Sequence, residues 1–287
     1  MKFASFLHQG TATYGAVIDD QHLVDLRPAL GALAPDLQSA IAQGLLDKAA
    51  TLARAATERI PLDAVEFLPV IGRPAKIVCV GLNYADHVRE TGRQVTQQQA
   101  PTLFLRVANS QAGHGQALLI PPESPALDFE GEIAVIIGKP GRRIAESAAW
   151  AHVAGYACYN DASIRDWQTA TSQWTAGKNF ARTGAFGPWM VTADEIHPDQ
   201  VMTLITRLNG EEVQRTTTDL LIHSIPSLIA HISCFTELEA GDVIVTGTPG
   251  GVGFKRQPPL YMRPGDVVEV EVDALGVLRN PIEAELA

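Results

Sequence analysis

Along the first seventy residues the hydrophobic positions change their period. Residues 2–7, 13–18 and 23–26 are short strand-like stretches, broken by Gly10 and the Asp19-Asp20 turn. From about residue 36 to 60, Leu37, Ile41, Leu45, Leu52 and Ile60 fall on one stripe, which predicts a helix. Gly44 is a place for a break, because glycine costs about 1 kcal/mol against alanine inside a helix. Pro61 and Gly72-Arg73-Pro74 then punctuate the chain. The expected division is a small N-terminal α/β unit, residues 1–72, and a larger unit, residues 73–287.

The larger unit reads as many short strands with inserted helices. Residues 76–81 and 132–137 are apolar runs of strand length, and residues 268–272 alternate with the period of two that a half-buried strand requires. Residues 204–208 and 211–216 flank Asn209-Gly210, which supplies the two positive-φ residues of a type I′ hairpin. A helix is predicted from Ser224, with Pro226 in its first turn and Ile225, Leu228, Ile229 and Ile232 at helical spacing. A second is predicted over 146–153. The four tryptophans, all between Trp150 and Trp189, read as core. The fold class is α+β, mostly β.

Composition narrows the functions open to such a chain. Its 287 residues are 46% hydrophobic and 19% charged, which supplies a core and excludes global disorder. No uncharged apolar run approaches the roughly 18 residues that cross a bilayer, and residues 1–20 lack the pattern of a secretory signal. Cys79, Cys158 and Cys234 make neither a disulfide framework nor a zinc knuckle, so a reducing, cytoplasmic setting is expected. The formal net charge of −10 repels nucleic-acid phosphate. The expected partner is a small molecule, with no nucleic acid and no membrane.

The candidate chemistry lies in polar residues at the ends of apolar runs. Glu130 and Glu132 stand two apart at the mouth of one such run, so both carboxylates point to one face of a strand. Side by side they repel each other unless a cation lies between them. Asp161 follows a second apolar stretch, 153–159, and makes a third oxygen donor. An all-oxygen set suits Mg²⁺, Mn²⁺ or Ca²⁺ over zinc; a solvated acidic strand end has the same spacing. His87 and Glu90, at i and i+3 on a helix, can meet so that the carboxylate orients the imidazole and leaves its other nitrogen as a base. A surface histidine beside a helical glutamate has that pattern too. Residues 246–253 are glycine-rich but carry neither Gly-Lys-Ser/Thr nor Gly-x-Gly-x-x-Gly, so no nucleotide is expected.

Taken together these segments resemble the fumarylacetoacetate hydrolase family. The matching text is residues 80–87, 128–135, 160–168, 177–180 and 245–253, in the family's order, and the likeness covers roughly residues 74 to 284. It implies a mixed β-roll of that family's C-terminal type, holding Mg²⁺ or Mn²⁺, in a homodimer. By this resemblance Glu130, Glu132 and Asp161 are the metal ligands, His87 is the general base and Glu90 its orienting partner. Arg165, Gln168, Lys178 and Thr248 would surround the keto-acid end of a substrate. The longest members carry one more carboxylate ahead of the catalytic histidine. Residues 76–83 contain none, which aligns the chain with the shorter, three-carboxylate, acylpyruvase-like branch.

On that reading the expected activity is hydrolytic C–C cleavage of an acylpyruvate-type diketo acid, in aromatic-compound catabolism. His87 would activate water, and the metal would stabilise the departing enolate. Decarboxylation of a β-keto diacid and isomerisation of an unsaturated hydroxy diacid use the same enolate. A non-catalytic ligand-binding protein is the alternative of a different kind. Between Glu90 and Leu103 the only large aliphatic residue is Val95. A segment that buries so little, tethered to His87, reads either as a lid, residues 91–102, that closes over the site or as an ordinary exposed loop.

Overall fold

The strands at the centre of the molecule are apolar throughout because both of their faces are covered. In the strand Gly131–Ile137, residues Ile133, Val135 and Ile137 enter one core with Cys158, Leu204, Val268 and Leu278. Ala134 and Ile136 enter another with Phe3, Tyr14, Leu37 and Val243. The structure is a computed structural model that describes residues 1–92, 94 and 100–286. Positions 93 and 95–99, the middle of the candidate lid, lie outside the described residues.

Gly131–Ile137 belongs to a 12-stranded sheet. It pairs antiparallel with Val153–Asn160 on one side and with Val243–Val245 on the other. Val243–Val245 runs parallel to Ile77–Gly81, which pairs with Thr102–Arg106 at that edge. On the opposite flank Val153–Asn160 pairs with Gly184–Thr192, and this in turn with Lys2–His8, so the N-terminal strands continue the same sheet. A five-stranded sheet that includes Thr203–Leu208 and Val267–Val272 covers one face. The helices Leu37–Ala42 and Leu46–Ala55 cover the other. The architecture is mixed α/β, mostly β, as the hydrophobic pattern predicts.

Local chemistry accounts for most element boundaries. Asn209 (φ 55°) and Gly210 (φ 84°) join Thr203–Leu208 to Glu211–Thr217 in the predicted hairpin. Ser224 caps Ile225–Phe235 by accepting the Ser227 N–H at 3.3 Å. Three features differ from expectation. The N-terminal helical stretch breaks at Gly44 (φ 63°), where a break was allowed, but it ends at Ala55, and Ile60 joins the short strand Ile60–Pro61 instead of the helix. Glu146–His152 forms 3₁₀ turns. The tryptophans do not form a buried core: Trp150 and Trp189 pack half-buried against it, and Trp167 is 41% exposed. Among the described residues no helix is long and apolar enough to cross a membrane.

The sheet also positions the candidate site. Ile77–Gly81, Val153–Asn160 and Val243–Val245 end where Gly131–Ile137 begins. In this register Glu132 stands opposite Tyr159, and Asp161 follows two residues after Tyr159. Strand alternation therefore sends Glu132 and Asp161 to the same face as Ala134 and Ile136.

Candidate active site

Glu130, Glu132 and Asp161 are buried, and one carboxylate oxygen from each lies within 4.8 Å of the others. Lys178, 1% exposed, brings Nζ to 2.6 Å from both Glu130 Oε2 and Asp161 Oδ2. Arg106 donates from Nη1 to Asp161 Oδ1 at 2.6 Å and from Nη2 to Thr183 Oγ1 at 2.8 Å. Arg165 places Nη1 2.7 Å from Glu130 Oε1 and donates from Nε to Asp128 Oδ2 at 2.8 Å. Glu132 pairs with no cation among the described residues; its Oε2 accepts the Gly247 N–H at 2.5 Å.

Burial raises the pKa of a carboxylic acid unless neighbouring cations outweigh it. At Glu130 burial is overcome by the charges of Arg165 and Lys178, and the carboxyl is held down at about 2. At Glu132 burial is reinforced by the charges of Asp161 and Glu130, and the carboxyl is pushed well above its usual range. Counting Asp128, four buried carboxylates face three buried cations, Arg106, Arg165 and Lys178. The uncompensated charge falls on Glu132. A divalent cation fits that deficit: the donors are all oxygen, and its charge would relieve the repulsion at Glu132. The residues that could hold it are Glu130, Glu132 and Asp161.

His87 lies in the helix Ala85–Glu90, where one helical turn brings Nδ1 to 2.7 Å from Glu90 Oε1. A neutral imidazole that donates from Nδ1 carries its lone pair on Nε2. The glycine-rich segment fixes this geometry from outside. Its amides donate to the protein's own carboxylates. Gly250 donates to Asp86 at 3.1 Å, Gly251 to Glu90 Oε2 at 2.9 Å, and Gly253 and Phe254 to Asp128 at 2.9 and 3.0 Å. Gly253 has to be glycine, since a Cβ there would lie 2.5 Å from Asp128 Oδ1 and would collide with the Leu260 carbonyl.

Gln214 ties two sides of the site together. Its Oε1 accepts the Gly131 N–H at 3.0 Å, and its Nε2 donates to Thr248 Oγ1 at 2.9 Å and to the Pro249 carbonyl at 3.1 Å. Thr248 in turn donates to the Gly131 carbonyl at 3.0 Å. Gln214→Leu strands the Gly131 amide and the Pro249 carbonyl, and a buried group left unpaired costs about 1–3 kcal/mol. Chemical denaturation should show a loss of at least that size; an unchanged midpoint would mean the bridge contributes nothing.

Every site residue expected from the sequence comes to one cavity of about 170 Å³, Glu90 behind His87 and the other eight on its wall. Arg106, Asp128 and Gln214 were given no role by sequence reasoning. Asp128 carried a signal, a charge set between Leu127 and Phe129. Gln214 carried a fainter one, an uncharged polar residue on the inward face of an alternating strand. Arg106 ends an apolar strand, and no nearby residue points to Asp161 as its partner.

The model of the fumarylacetoacetate (FAA) hydrolase C-terminal family matches residues 76–283. The oxaloacetate tautomerase FAHD2A, mitochondrial, of Bos taurus is 39% identical over 261 residues, covering 88% of this chain and 82% of its own. The solved fumarylacetoacetate hydrolase of Exiguobacterium antarcticum superposes with a TM-score of 0.85 at 34% identity, over 99% of this chain and 100% of that one. Maleylpyruvate hydrolase of Sphingobium sp. SYK-6, solved with manganese (II) ion and pyruvate, gives 0.82 at 26% identity over the full length of both chains.

Proposed function

The chain belongs to the fumarylacetoacetate hydrolase family, and on that premise we propose that it is a metal-dependent enzyme interconverting the keto and enol forms of a small 2-oxo dicarboxylic acid, oxaloacetate. The observation that carries this reading is His87, buried on the wall of the cavity that holds the three carboxylates and oriented from behind by half-buried Glu90. Binding alone needs no oriented base. At about 170 Å³ the cavity is smaller than the about 300–1,000 Å³ of drug-sized sites, which suits a four-carbon acid.

When bound by Glu130, Glu132 and Asp161, a divalent cation supplies Lewis-acid stabilisation of the negative charge that develops on the keto oxygen. Glu90 holds His87 in the tautomer whose Nε2 takes a proton from the carbon beside the keto group. The imidazolium so formed, stabilised by Glu90, returns a proton to the enol oxygen, so the reaction balances without another reactant. Arg165 keeps one buried nitrogen, Nη2, without a partner among the described residues, a donor suited to a substrate carboxylate. Trp174 and Phe104, edge to face at 5.4 Å, form an apolar wall that limits water.

The names of relatives at 39% identity favour tautomerisation over the hydrolysis expected from the sequence. Hydrolysis of an acylpyruvate is the second reading. The likeness to maleylpyruvate hydrolase favours it, since a base that takes a proton from carbon can also take one from water. The test is to supply oxaloacetate and acetylpyruvate side by side with Mg²⁺ or Mn²⁺. Faster keto–enol interconversion of oxaloacetate without pyruvate release from acetylpyruvate is expected. Efficient pyruvate release from acetylpyruvate would transfer the assignment to hydrolysis, and no turnover of either would overturn both.

A further inference from the structure

We propose that Lys255 is the specificity-determining residue of this site, receiving the distal carboxylate of a dicarboxylic substrate. The inference rests on the 2-oxo acid chemistry above and adds the group that tells a diacid from a monoacid. Three cationic residues besides His87 line the cavity: Arg165, Lys178 and Lys255. The first two are buried and paired with carboxylates. Lys255 is exposed at the cavity wall and forms no ion pair among the described residues.

Its position is fixed by the group that also fixes Arg165. Asp128 accepts Nε–H of Arg165 at 2.8 Å and the amides of Gly253 and Phe254 at 2.9 and 3.0 Å. Lys255 is the next residue, the last of the turn Gly253–Lys255. Beyond it, Arg256 donates to the carbonyls of Val213 at 2.7 Å and Gly251 at 3.0 Å. The Arg256 N–H also donates to the Gly253 carbonyl at 3.1 Å, so the chain is held on both sides of Lys255.

The Phe254 ring sets the separation between the two cations. The guanidinium carbon of Arg165 lies 4.2 Å from its centroid and Nζ of Lys255 lies 4.8 Å from the same centroid, so they are at most 9.0 Å apart. Arg165 lines the cavity, and its buried Nη2 has no hydrogen-bond partner among the described residues. One cation therefore stands in the wall of the cavity and one at its exposed side, at a spacing a short chain bearing a carboxylate at each end can span. A monocarboxylate satisfies Arg165 and leaves Lys255 hydrated; a dicarboxylate engages both.

The experiment is calorimetric binding to the Mg²⁺-loaded protein of two matched four-carbon acids, oxaloacetate and 2-oxobutyrate, which differ only in a distal carboxylate against a methyl group. Wild type should bind oxaloacetate the more tightly, and added salt should erode the difference. Lys255→Met keeps the apolar stem over Phe254 and should weaken oxaloacetate about tenfold, the value of one charge-assisted hydrogen bond, while 2-oxobutyrate binds as before. Lys255→Arg should restore the preference. Equal binding of the two acids by wild type, or a Met variant that weakens both or neither, would overturn the proposal. Binding is read without turnover, so a failure of the keto–enol reading appears separately, as wild-type protein that binds oxaloacetate but does not accelerate its tautomerisation.

Discussion

His87→Asn should lower kcat by about 10²–10⁴-fold, the usual contribution of a general base, while leaving the metal response of the protein intact. Asparagine keeps a donor that can reach Glu90 but offers no lone pair of comparable basicity. His87 is not among the three carboxylates that could hold the cation; its imidazole is committed through Nδ1 to Glu90, which is fixed in turn by the Gly251 amide. The rise in melting temperature on adding Mg²⁺ or Mn²⁺ after EDTA should therefore match that of wild type. A variant that lost both turnover and metal response would contradict this division of labour. Full activity in the variant would remove the base from the mechanism.

Glu132→Gln should have the opposite pair of effects on stability: the variant should be more stable than wild type in EDTA and should no longer respond to metal. The side chain is buried, flanked by two like charges, and among the described residues hydrogen-bonded only by the Gly247 amide, which an amide oxygen accepts as well as a carboxylate does. Because its folded pKa lies above the unfolded value, the acid supports the fold below the usual carboxylate range, about pH 4.3. That support is lost as the pH rises through the folded pKa. Metal-free wild type should thus lose stability with rising pH by an amount that the variant does not. Added metal should restore wild type by about 2.7 kcal/mol at one hundred times Kd, and the variant by almost nothing, with turnover lost. A variant less stable in EDTA yet still stabilised by metal would refute the assignment of Glu132 as a ligand.

How much of this was legible depended on how far apart in the chain each pair of partners lies. Glu130, Glu132, His87 and Glu90 could be read because their geometry is local: two residues along a strand, three along a helix. The turn at Asn209-Gly210 and the break at Gly44 were legible for the same reason. Asp128 stood in plain view beside Glu130, but its partners lie 37 residues away at Arg165 and 125 away at Gly253. Arg106 meets Asp161 only because strand order places Thr102–Arg106 at the sheet edge beside Ile77–Gly81. The sequence of the glycine-rich loop excluded a nucleotide; that its amides meet the protein's own carboxylates follows only from the folded register. Tryptophan content misled because bulk alone does not distinguish a core residue from one lining a cavity, as Trp174 does.

The claim beneath all of this is that His87 transfers a proton at the carbon beside a keto group, in a site that works only with its metal. Deuterium incorporation at C3 of oxaloacetate in heavy water, followed by NMR against the uncatalysed rate, tests it most directly. Fast exchange is expected with wild-type protein and Mg²⁺, and exchange at the background rate after EDTA treatment or with His87→Asn. Exchange that persisted at the wild-type rate in either case, or that never exceeded background in wild type, would contradict it.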